Sequence, residues 1–132
     1  MRHETMQESL PAYQKDLAVI LEHIDRRDSF VLNIVADWCT DCTERQAPLM
    51  AGFVERLNDE SILTVQLLAQ HEKNEYLSPE HCSFVAKLGG HGFPRTVAFI
   101  NGIADSESYV EVVEEHTMKK LADKFIQKLR AN

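Results

Sequence analysis

The run Phe30-Val31-Leu32-Asn33-Ile34-Val35-Ala36 carries a single polar side chain, and after Asp37-Trp38 comes Cys39-Thr40-Asp41-Cys42. A segment this short, this apolar and this rich in β-branched residues reads as a strand buried on both faces. Such a strand needs helices above and below it, which restricts the chain to an α/β architecture. What the strand delivers is equally restrictive. A Cys-x-x-Cys at the first turn of a helix places Cys39 where backbone N–H groups and the helix dipole favour a thiolate. Cys42 lies three residues on, on the same helical face and close enough to form a disulfide with it.

The remaining elements follow from periodicity and punctuation. Leu10, Tyr13, Leu17, Ile20, Leu21 and Ile24 recur at helical spacing and predict a helix from about residue 10 to 27. A second helix is expected over about 40–58, with Leu49, Phe53, Val54 and Leu57 inward and a kink at Pro48. Ile62 to Ala69 read as a second buried strand, and the polar stretch Gln70 to Leu77 as a loop. Ser78-Pro79-Glu80 is a helix start, with a capping serine, proline at the first helical position and an acid in the first turn. That helix should stop at Gly89-Gly90. Thr96 to Ile100 is a strand, Asn101-Gly102 a turn, and Ser108 to Val113 its expected antiparallel partner. Met118, Leu121, Ala122, Phe125, Ile126 and Leu129 predict an amphipathic C-terminal helix. The order α-β-α-β-α-β-β-α gives a mixed central sheet of about four strands with helices on both faces.

Composition narrows the class. A chain of 132 residues, 44% of them apolar, suits one domain over 1–132 with its own core. No stretch approaches the roughly 18 apolar residues of a membrane span. The first ten residues lack the apolar region of a secretory leader, so a cytoplasmic setting is expected. A formal charge of −7 disfavours a nucleic-acid partner. Three cysteines do not make a disulfide scaffold; in a reducing compartment a Cys-x-x-Cys points to redox work or to metal.

These residues resemble the thioredoxin family from about Phe30 onward. Ala36-Asp37-Trp38-Cys39-Thr40-Asp41-Cys42 is similar to the family's Ala-x-Trp-Cys-x-x-Cys. Gly92-Phe93-Pro94 is similar to its cis-proline loop, and Asn101-Gly102 falls at the family's spacing past that proline. Ala-Asp-Trp-Cys also resembles the reductase domains of transmembrane thiol-disulfide interchange proteins. The chain departs from the pattern in several places, among them Pro48, one residue later than the usual helix-kinking proline, and the lack of an obvious first strand before the N-terminal helix. Thr40-Asp41 stands for the common Gly-Pro. Asn33 and Leu67 stand where many members keep a buried aspartate and the lysine paired with it. The segment between Cys42 and Pro94 is longer than in minimal members.

The resemblance implies a thioredoxin-like fold and a role for each site residue. Cys39 would attack a substrate disulfide as a thiolate, and Cys42 would resolve the mixed disulfide. Trp38 would shield the dithiol. The Phe93 backbone beside a cis Pro94 would pair with an extended substrate segment. Asp41 would oppose the Cys39 thiolate and hold the couple on the reducing side, with Arg95 acting in the opposite sense if its head reaches the site. Asn33 is expected to be buried and satisfied by backbone or water. It leaves no buried carboxylate to take the Cys42 proton, and Asp37 is the nearest substitute. Cys82 is expected to be a buried structural thiol, with a regulatory thiol as the alternative. His91 reads as a surface residue. A zinc site is disfavoured, because His81 and Cys82 are adjacent and point apart on a helix.

The expected activity is thiol–disulfide exchange that reduces disulfides of a protein partner, with a separate reductase or electron donor to recycle the dithiol. No organic cofactor or metal is needed, since the two sulfurs carry the electrons. The alternative from another class is a partner-binding module in which the groove around Trp38 and Pro94 captures a peptide and redox chemistry is secondary.

Overall fold

The computed structural model describes residues 11–90 and 92–130. Along the chain they form helix α1 (Leu17–Asp25), strand β1 (Phe30–Ala36), a π-helical turn (Asp41–Gln46) that runs into helix α2 (Ala47–Asn58), and strand β2 (Leu63–Glu72). The short strand β3 (Glu75–Tyr76), helix α3 (Pro79–Lys87), strands β4 (Arg95–Ile100) and β5 (Ile103–Val110), and helix α4 (Glu115–Arg130) follow. The strands make one sheet in the order β3-β2-β1-β4-β5. β1 lies at its centre, parallel to β2 and antiparallel to β4, and every residue of it is buried. The apolar run predicted just this position, because only a strand covered on both faces dispenses with polar alternation.

Alternation along β1 divides the core in two. Leu32 and Ile34 face Ile20 of α1 and Val85 of α3. Val31 faces Met50, Phe53 and Leu57 of α2 and Met118, Leu121 and Phe125 of α4. Each fully buried side chain of this kind stabilises the fold by about 2 kcal/mol relative to exposure.

The structure corrects four expectations. The N-terminal helix starts at Leu17 rather than near residue 10. Before it, Gln14 bridges Gln66 of β2 in parallel, with the Lys15 N–H on Gln66 O at 2.8 Å and the Gln66 N–H on Tyr13 O at 2.8 Å. Those bonds hold the backbone extended. They put Tyr13 against the α2–α4 core while Leu17 and Ile20 enter the other one, so the apolar spacing merged two faces. Leu10 lies outside the described residues.

Second, the sheet has five strands. The stretch expected as a loop continues β2 to Glu72, turns at Lys73-Asn74 and pairs back as β3. Backbone hydrogen bonds make this edge hairpin, and its polar sequence gives no apolar alternation to announce it. Third, β5 begins at Ile103, so Asn101 and Gly102, both at positive φ, form a two-residue hairpin. A Cβ at Gly102 would lie 2.5 Å from Ile24 O, which requires glycine there.

Fourth, the helix over 40–58 is not α-helical throughout, because it opens on the wide turn of 41–46. The Ala47 N–H bonds five residues back to Cys42 O, so the wide turn ends where the α-helix begins. Pro48 follows that wide turn directly, in the first turn of α2.

Candidate active site

The end of β1 and the following turn position the two sulfurs. The Cys39 N–H bonds Ala36 O at 3.2 Å, closing the Asp37-Trp38 turn. The Cys42 and Thr43 N–H groups bond Cys39 O at 3.1 and 3.0 Å, and the Thr43 hydroxyl donates to the same oxygen. Both cysteines are free thiols. The Cys42 N–H points at Cys39 Sγ at 3.3 Å, and the Cys39 thiol donates to Phe93 O at 3.5 Å. A helix-start amide directed at Sγ is the arrangement that stabilises negative charge on sulfur.

A thiol at the helix start is expected to be the accessible one of the pair. Cys39 is 7% exposed against 3% for Cys42, so both are buried, with Cys39 slightly the more open. Burial, then the hydrogen bond with Cys39, pushes the Cys42 thiol far above the ordinary thiol range. The charge of Asp41 adds to that push, and a backbone hydrogen bond with Ala36 opposes it.

The Phe93–Pro94 peptide bond is cis, and both residues are buried beside the dithiol. Trp38 meets the Phe93 ring edge-on, centroids 6.2 Å apart, and is 37% exposed. Its indole N–H donates to Gln70 Oε1 at 2.7 Å, and Lys73 Nζ stands 5.5 Å from its ring centroid. Trp38, Phe93, Asp41 and Gly92 border a groove of about 330 Å3 at Cys39, which Lys73 and Asn74 also line. The β2–β3 hairpin is therefore part of the site. Sequence reasoning missed Gln70, Lys73 and Asn74, because nothing local marks them as neighbours of Trp38.

Asn33 is buried as expected, but side chains satisfy it rather than backbone or water. Its Nδ2 donates to Gln46 Oε1 at 2.8 Å and Gln66 Oε1 at 2.9 Å. Its Oδ1 accepts from the Thr96 hydroxyl at 2.9 Å and Gln46 Nε2 at 3.3 Å. Gln46 Nε2 also reaches Val112 O at 3.1 Å, and Gln66 Nε2 reaches Gln14 Oε1 at 3.0 Å. A neutral lattice thus ties the turn after Cys42 to β1, β2, β4 and the N-terminal segment. Asn33 uses both donors and both acceptor directions, so it has no capacity left to take a proton. Asn33, the lone polar residue of its apolar run, and Gln66, one of two in the next, were the available signal.

Two further expectations change. Neither sulfur is among the described partners of Arg95. Its Nη1 donates to Leu88 O at 3.3 Å and to the Ser108 hydroxyl at 2.5 Å, placing a buried cation at the C-terminal end of α3. A positive charge there is favourable to the helix dipole. Cys82 is exposed, not buried, because Val85 is the only residue of α3 that enters the core deeply. Asp41 borders the dithiol groove and pairs with Arg45 at 3.3 Å, which offsets part of its charge. His91 lies outside the described residues. Among the described residues no three His, Cys, Asp or Glu side chains converge as a metal-ligand set.

No family model matches the sequence, and no curated protein is similar enough in sequence to match. Solved structures do match. Human ERp44 is 19% identical over 87% of this chain and 32% of that chain, with a TM-score of 0.64. Plasmodium falciparum thioredoxin is 14% identical over 86% of this chain and 98% of that one, TM-score 0.59. Mitochondrial thioredoxin 3 from Saccharomyces cerevisiae, in its oxidized form, is 14% identical over 84% of this chain and 92% of that one, TM-score 0.60. The chain spans less than a third of the length of the ERp44 chains it matches, at 32% and 29%. These likenesses establish the thioredoxin fold.

Proposed function

We propose that the protein is a thiol–disulfide oxidoreductase that reduces disulfides of a protein partner through Cys39 and Cys42. One observation carries the reading. Two free thiols share the first turn after β1, with the Cys42 N–H on Cys39 Sγ at 3.3 Å beside the cis Phe93–Pro94 bond. The thioredoxins it resembles in fold lend support.

In this reading an extended segment of the partner occupies the groove between Trp38 and Phe93. Cys39 attacks one sulfur of the partner's disulfide, and the other sulfur leaves as a thiolate. Cys42 then attacks Cys39, releasing the second partner thiol and closing the Cys39–Cys42 disulfide. An external dithiol or reductase returns two electrons to the pair, so neither cofactor nor metal takes part. The whole chain acts as one such unit, in a reducing compartment such as the cytoplasm.

Reduction of insulin by dithiothreitol, followed as precipitation of the freed chains, tests this. The wild-type protein should accelerate it catalytically, while Cys39→Ser and Cys42→Ser should each reduce it to the uncatalysed rate. A wild-type protein without effect sinks the proposal. Partner binding that survives loss of both cysteines would support the binding-module alternative instead.

A further inference from the structure

Resolution of the mixed disulfide requires Cys42 to lose a proton, and the lattice beneath it offers no acceptor. Asn33 is a saturated amide, and Gln46, Gln66 and Thr96 do not titrate in the physiological range. Burial opposes ionisation of Cys42 further. The proton must therefore leave by another route.

Cys42 lines a cleft of about 620 Å3 between the turn, the ends of β1 and β2, and the N-terminal segment. That volume admits several waters. Asp37 and His71 stand on the same cleft, with His71 Nδ1 2.6 Å from Asp37 Oδ2. Both side chains are more than half exposed, at 54% and 63%, so the pair stays hydrated and mobile protons can reach it. A carboxylate on Nδ1 fixes that nitrogen as the protonated one and leaves the Nε2 lone pair free to accept.

The other titratable groups around this cleft fit the task less well. Tyr13 is held protonated by burial. His81 has its Nδ1 on the Ser78 hydroxyl at 2.7 Å, and burial lowers its basicity. Lys15 and Asp16 border the cleft from the N-terminal segment, and Asp41, on the turn itself, faces the dithiol groove and Arg45.

We propose that the Asp37–His71 pair accepts the Cys42 proton, through water in this cleft, as Cys42 attacks the mixed disulfide on Cys39. The inference rests on the oxidoreductase reading above. In this step the Cys42–Cys39 S–S bond forms and the bond from Cys39 to the substrate sulfur breaks. The substrate sulfur leaves with the electron pair as a thiolate, and the Cys42 proton passes to His71 Nε2. The protein dithiol is oxidised and the substrate disulfide reduced. Asp37 is a positioning residue, since it acts through His71.

A single-turnover reaction with dithiobis-nitrobenzoate separates the two steps, in a Cys82→Ser background that removes the exposed thiol. Attack by Cys39 releases one equivalent of coloured thiolate, and resolution by Cys42 releases the second. His71→Ala should leave the first phase unchanged and slow the second about tenfold near neutral pH. Added imidazole should restore it. Asp37→Asn should slow the second phase less. The wild-type second phase should slow as pH falls below neutral, and His71→Ala should lose that component of the profile. A His71→Ala second phase equal to wild type across this range overturns the proposal while two equivalents are still released. Release of only one equivalent by the parent protein would overturn the oxidoreductase reading itself.

Discussion

Each half of the dithiol site stands on its own buried polar anchor, and the two anchors differ in kind. Beneath the Cys39–Cys42 turn lies the neutral lattice of Asn33, Gln46, Gln66 and Thr96. Beneath the loop that leads into Phe93–Pro94 lies the Arg95 guanidinium, bonded to Leu88 O and Ser108. The lattice is made of amides that satisfy one another, so no charge is taken out of water. The Arg95 anchor buries a cation, whose desolvation cost has to be offset by several acceptors and by the dipole of α3. The difference teaches where charge is tolerated. The buried lattice beneath the resolving sulfur carries no charge, and the buried anchor that only shapes the proline loop carries one.

Breaking the lattice should have the largest effect. Asn33→Leu keeps the branched shape but leaves Gln46, Gln66 and Thr96 with buried unmet polar atoms. A loss of about 3–4 kcal/mol is expected in urea unfolding. A loss below about 1 kcal/mol would show that the amides find other partners at little cost.

The second test strikes the other anchor from above. Gly89 has φ +126°, and a Cβ there would collide with Arg95 Nη1. Gly89→Ala should destabilise by about 2–3 kcal/mol, through backbone strain and displacement of the guanidinium. Combined with Arg95→Met it should cost less than the sum of the two single changes, since the clash partner is gone.

Arg95→Met alone sharpens the contrast. Removing a buried charge while keeping the stem offsets much of the lost hydrogen bonding, so a change of only about 1 kcal/mol is expected. A loss as large as that of Asn33→Leu would mean that the charged anchor is as tightly integrated as the neutral one.

The smallest effect is expected from Asp41→Asn. The Asp41 carboxylate opposes ionisation of Cys42, and removing it leaves the Arg45 cation beside the turn. Both changes favour thiolate, hence the dithiol form, so the couple should become more oxidising. Because the pair is solvated, the equilibrium constant with glutathione should move by no more than about threefold. A shift in the reducing direction would reverse the assigned role of Asp41.

Much of the fold was legible because it rests on local rules. The apolar run Phe30–Ala36 places a central strand whatever surrounds it, and the Ser78 hydroxyl caps α3 by accepting from the His81 N–H, as its spacing requires. Asn101-Gly102 turns at positive φ because few other residue pairs do so readily. Cys39 and Cys42 meet because a helical turn brings residues three apart together.

What the sequence could not decide by itself depends on partners distant along the chain. Asn33 finds Gln66 at a separation of 33 residues and Thr96 at 63, and no pattern within a strand names either. Arg95 was free to reach the dithiol until the packing of α3 gave it a helix end to cap. Cys82 had the spacing of a buried residue, but α3 rests on the sheet mainly through Val85, and that contact left the thiol outside. Sequence alone determined the central strand, the capped start of α3, the Asn101-Gly102 turn and the dithiol, since period, caps and turns are local energies. The tertiary structure alone decided how the dithiol's surroundings are charged, because a buried polar group takes its state from whichever partners the fold brings within hydrogen-bonding distance.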